Sequence, residues 1–127
     1  MNYTFDRKFS GKFDHMVERT ITALKAEGFG VLTDIDVQAT MKAKLNIDFR
    51  PYRILGACNP ALAHQALQAE DKIGAMLPCN VIVQEREDEI EVSVVDPLAG
   101  MERIGNPGLT RIATEVAKKL KRVIDSI

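Results

Sequence analysis

A chain of 127 residues, 46% hydrophobic and 28% charged, has the balance of a folded domain and is long enough to bury well over half of its unfolded surface, which excludes a disordered tail and a membrane protein. A formal charge of −1 supplies no overall basic field for nucleic acid, so no nucleic-acid partner is expected. Two cysteines make no secreted disulfide framework, and the expectation is a single cytoplasmic domain over residues 1–127.

The opening MNYTFDRKFS lacks the long apolar segment of a signal peptide, and no later run approaches membrane-spanning length, so neither export nor membrane contact is expected. Residues 2–9 alternate, with Tyr3, Phe5 and Arg7 on one side, as in a half-exposed strand. Ser10 is placed to cap a helix whose Phe13, Met16, Val17, Thr20, Ile21 and Leu24 share a face, and Gly28 ends it. A second strand, Phe29 to Ile35, puts Val31, Thr33 and Ile35 on one face. Asp36 then caps a short amphipathic helix of Val37, Met41 and Leu45, closed by Asn46.

Pro51 opens a third strand, Tyr52 to Ala57, followed by a helix containing Leu62, Ala63, Ala66 and Leu67. A fourth strand begins at Pro78, and after the charged turn around Glu85 to Asp88 a fifth carries Ile90, Val92 and Val94, which reads as a hairpin. The Gly- and Pro-rich segment Asp96 to Gly108 reads as a lid or binding loop. The last helix places Leu109, Ile112, Ala113, Val116, Leu120, Val123 and Ile124 on one stripe. The order predicts an α+β fold: an antiparallel sheet in strand, helix, four strands, helix sequence, with short helical insertions and two long helices on one face. The other face stays wet or meets a second copy of the chain, and a homodimer is the expectation.

The blocks GFGVLTDIDV, MKAKLNIDFRPYRILGACNPALAHQAL and MLPCNVIV, with Asp96-Pro97 after the last strand, resemble the bacterial family called domain of unknown function 302. The resemblance runs nearly end to end. It implies a curved sheet similar to the TATA-binding-protein-like fold, often in a homodimer, and implies no activity; DNA binding does not follow from such a fold.

If the third and fourth strands are antiparallel neighbours, Cys58-Asn59 and Cys79-Asn80 converge at one sheet end, joined by Asp96 from the hairpin. The plain reading of Cys58 is a small buried hydrophobe before a helix cap, Asn59. The reactive reading sets its thiol near a helix N-terminus, where a thiolate is favoured. Cys79 shares a strand face with Val81 and Val83 and is expected to be buried; Asn80 is expected as a clamp or a ligand contact. His64 falls at the polar edge of its helix and is expected to be solvated.

Cys58, Cys79, His64 and Met101 form a soft donor set, but their spacing matches no metal signature, so no metal, haem or other cofactor is predicted. The acidic EREDEIE and basic KKLKR runs read as solvated surface. Together the residues point to a binding or accessory module with a small-molecule pocket at Cys58, Asn59, Cys79, Asn80, Asp96 and His64. The rival is a thiol redox enzyme or sulfur carrier using Cys58 and Cys79.

Overall fold

The computed structural model describes residues 2–127. Its C-terminal helix α5, Pro107–Ser126, buries Leu109, Ile112, Ala113, Leu120, Val123 and Ile124 of the predicted stripe, together with Ala117, and leaves Val116 partly buried. Asn106 caps it by accepting from the Gly108 and Leu109 amides, while its own amide donates to the Ala69 carbonyl at 2.8 Å. One side chain thus starts α5 and ties it to the end of α3, Pro60–Ala69.

Helix α1, Phe13–Ala26, buries Met16, Val17, Thr20, Ala23 and Leu24. The Thr20 hydroxyl donates to the Met16 carbonyl at 2.8 Å, so its burial leaves nothing unpaired. Gly28, at φ +85°, ends the helix; its amide reaches the Lys25 carbonyl and that of Phe29 the Leu24 carbonyl, a Schellman closure. The start differs from expectation. Gly11, at φ +123°, turns the chain between strand and helix, so Lys12 rather than Ser10 takes the cap position, with no side-chain bond.

The strands are β1 Thr4–Phe9, β2 Gly30–Asp36, β3 Tyr52–Cys58, β4 Cys79–Arg86 and β5 Glu89–Val95. They form a five-stranded antiparallel sheet in the order β1-β5-β4-β3-β2. Helices α1 and α5 cover one face, where Leu55, Val81, Val83, Val92 and Val94 join Leu24, Phe29 and Leu120 in the main core. The Arg7 guanidinium donates to the Ile124 and Asp125 carbonyls, latching the negative end of α5 to β1. A second cluster, with Leu62, Ile73, Met101, Leu109 and Ile112, joins α3 and α5 to the segment after β5.

The alternation in β2 is interrupted. Val31 pairs with Ala57 and Thr33 with Gly56, leaving Leu32 as an extra residue. One inserted residue reverses the pleat, so Thr33 and Ile35 leave the face that Val31 keeps. Beyond the bulge Asp34 meets Arg53, whose hydrogen bond holds the Asp34 carboxyl below its usual value. Leu32 and Ile35 remain exposed in the single chain.

Asp36 caps α2, Val37–Leu45, by accepting from the Ala39 amide at 2.9 Å, and Asn46 in the left-handed region ends it. Its apolar stripe, however, buries no residue, because α2 lies at the sheet margin, chiefly against β3. The segment expected to be a lid is ordered: Pro97–Met101 form α4 and Glu102–Ile104 a 3-10 turn, with Pro97 and Met101 buried. Another 3-10 turn, Asp71–Met76, precedes a cis Leu77–Pro78 peptide, and β4 starts one residue after Pro78. Among the described residues no helix is long and apolar enough to cross a membrane.

Glu87 and Asp88 form the two-residue hairpin turn with φ of 52° and 65°. Both positions favour Gly or Asn, since a Cβ is crowded in that region. Asp88→Gly is therefore expected to raise stability by about 1 kcal/mol, read as a higher urea midpoint. An unchanged or lower midpoint contradicts this account of the turn.

Candidate functional site

The pairing of Ala57 with Cys79 places the ends of β3 and β4 side by side, so Cys58, Asn59 and Cys79 meet at one sheet end. Asn59 leaves the strand in extended conformation and caps α3, its Oδ1 accepting from the Leu62 amide at 3.3 Å, with Pro60 in the first turn. Its Nδ2 lies 3.0 Å from where a Cβ on Gly28 would stand. Gly28 is thus required for its dihedral and for the passage of Asn59 over the end of α1.

These residues line a cavity between the sheet end, α3, α4 and α5, with Phe29, Leu62 and Met101 among its walls. Its volume, about 30 Å³, is room for one or two water molecules. No charged or imidazole side chain lines it among the described residues.

Burial pushes the Cys79 thiol up to about 11, with a further contribution from neighbouring Cys58. At neutral pH Cys79 is a protonated, shielded thiol, whereas Cys58 is only partly buried. Iodoacetamide at pH 7.5 is accordingly expected to label Cys58 in the folded protein and Cys79 only after denaturation. Peptide mapping that finds equal labelling of both in the native state contradicts the shielding.

The remaining expected site residues lie elsewhere. Asn80 pairs with Gly56 one residue beyond Cys79, which puts it on the opposite, open face, where it is exposed rather than clamped. Asp96 caps α4, accepting from the Leu98 amide at 3.0 Å, and lies outside the Cys58 cavity, though it borders a smaller one on the other side of Cys79. His64 is exposed on α3 and does not line the cavity, in line with a solvated role. Of the five residues expected to converge, Cys58, Asn59 and Cys79 share one cavity, Asp96 borders only the smaller one beyond Cys79, and Asn80 faces away.

Two wall residues, Phe29 and Met101, carry more of the cavity than their sequence contexts announce. Asp96-Pro97 was the available signal for Met101: a cap followed by proline starts a helix, and one turn later that helix turns Met101 inward. Among the described residues no group of three or more His, Cys, Asp and Glu side chains is gathered as for a metal ion.

The sequence model of the family described as domain of unknown function DUF302 matches residues 5–127. The fold is similar to the crystal structure of an uncharacterized conserved DUF302 protein from Bacillus stearothermophilus, with a TM-score of 0.91 and 29% identity over 98% of this chain and 97% of that one. No curated protein matches.

Proposed function

This chain belongs to the DUF302 family, and we propose that it is a binding or accessory module whose small ligand occupies the apolar cavity at the Cys58 and Cys79 end of the sheet. One observation carries the reading: Cys58 and Asn59 at the end of β3 and Cys79 at the start of β4 border one cavity beside α3, α4 and α5. Its walls favour binding over acid-base chemistry, since neither His64 nor Asp96 lines this cavity. The reading includes a cytoplasmic homodimer. Exposed Leu32 and Ile35 support the second copy, and two neighbouring free thiols suit a reducing compartment.

A second reading uses the same two thiols for redox exchange. An external disulfide would take two electrons while Cys58 and Cys79 lose their protons and join. The shielded, protonated Cys79 is a slow partner for such exchange, and the binding reading is preferred.

Native mass spectrometry of protein isolated without chelator or reductant tests both readings. A dimer with a removable extra mass, absent from an Ala63→Phe variant that fills the cavity, is expected. A bare chain overturns the cavity's role, a monomer overturns the dimer, and a loss of two hydrogens per chain favours the redox reading.

A further inference from the structure

The ligand class, which rests on the binding reading above, follows from the sulfur atoms around Cys79. Cys79 and Met101 line the main cavity with Cys58, and line a smaller adjoining cavity with Met76. Four sulfur-bearing side chains therefore line this pair of cavities, with Cys79 and Met101 on the shared wall, Cys58 on one side and Met76 on the other; they come from the end of β3, the 3-10 turn before β4, the first residue of β4 and α4. Of the chain's seven Cys and Met residues, five Met and two Cys, more than half are gathered there.

We propose that the wall shared by the two cavities is a soft-metal site that takes one monovalent copper ion through the Cys79 sulfur and the Met101 thioether, with Cys58 or Met76 as a further donor from either side.

Size decides first. The two cavities measure about 30 and 50 Å³, whereas pockets for drug-sized molecules run to about 300–1,000 Å³. A bare ion enters without repacking the core. Donor chemistry decides next. Thiolate and thioether sulfur select monovalent copper, while zinc sites draw on three or four Cys, His or carboxylate ligands, which are not gathered among the described residues. Magnesium and calcium need six or more oxygen donors, whereas these walls offer only the side chains of Asn59 and Asp96, each already accepting a helix-cap hydrogen bond.

Charge decides last. One thiolate and one monovalent cation form a neutral pair that apolar walls tolerate, whereas a divalent ion on the same donors keeps a positive charge out of water. Binding exchanges the Cys79 S–H bond for an S–Cu bond, releases one proton to solvent and moves no electrons between atoms. Half-exposed Met76 (43%) and partly buried Cys58 lie toward solvent and mark the way in.

The test titrates reduced apo-protein with monovalent copper under anaerobic conditions against the chromophoric chelator bathocuproine disulfonate. One ion per chain is expected to resist the chelator. Met101→Leu preserves apolar volume but removes the sulfur. It is expected to weaken retention by roughly tenfold or more, since even loss of an outer-shell partner costs about that much. Met41→Leu, on α2, is expected to change nothing, and circular dichroism confirms that each variant is folded.

The inference falls if wild type retains copper no better than a Cys58→Ala/Cys79→Ala double variant, or if Met101→Leu retains it as well as wild type. An organic extra mass in the native spectrum with no copper retention overturns the metal and leaves the binding reading standing. A bare chain with no copper retention overturns both.

Discussion

Phe29→Ala is expected to lower the free energy of unfolding by about 3–5 kcal/mol, a large part of the roughly 5–15 kcal/mol that holds a domain of this kind together. Phe29 heads the largest fully buried side chains and is 2% exposed. Its ring belongs to the main core and also forms a wall of the Cys58 cavity. Neighbours cannot close the gap by simple collapse, because the position stands between the Schellman end of α1 and the start of β2, both held by backbone hydrogen bonds. The void instead merges with the existing cavity. Urea denaturation is expected to show a lower midpoint at unchanged slope, and the variant is expected to take up more xenon than wild type. A loss below about 1 kcal/mol contradicts a wedge role for the ring.

Gly56→Ala is expected to cost about 1–3 kcal/mol by overpacking. The backbone itself accepts a side chain, but a Cβ would stand 2.1 Å from Thr33 Oγ1 and 2.7 Å from Pro78 Cγ. Thr33 lies over Gly56 because the bulge at Leu32 moved it to that face. The missing Cβ on β3 and the extra residue on β2 are therefore one arrangement. Thr33→Ala in the same chain is expected to recover part of the loss, since Thr33 Cβ is at an ordinary 3.5 Å, while the Pro78 contact persists. A double-mutant cycle reads that coupling directly. A neutral Gly56→Ala, or no coupling with Thr33, overturns the account.

Local signals succeeded wherever one element satisfied its own needs. The α5 stripe, the helix end at Gly28 and the caps Asp36 and Asn59 are all choices made within a few residues of chain. Ser10 failed as a cap because Gly11 redirected the chain before the helix began. The α2 stripe has helical spacing yet nothing to bury it, since burial depends on a neighbour that the spacing does not supply. The Gly- and Pro-rich segment after β5 folds into α4 because Asp96-Pro97 starts a helix and Met101 finds the second core cluster.

The candidate site divides along the same line. That Cys58 and Cys79 share a sheet end was legible from antiparallel order, and so was the capping role of Asn59. Asn80 was misplaced by a single step of pleat, and Asp96 was taken by the helix it caps. Amino-acid order by itself determined the five strands, the two long covering helices and the family, because each rests on periodicity, caps and contiguous motifs. Only the tertiary structure decided that Leu32 bulges, that Asn80 faces away, and that Met76 and Met101 join the two cysteines around two adjoining cavities. Those outcomes depend on register and on packing between segments far apart in the chain, and neither leaves a local signal for a reader of residues to find.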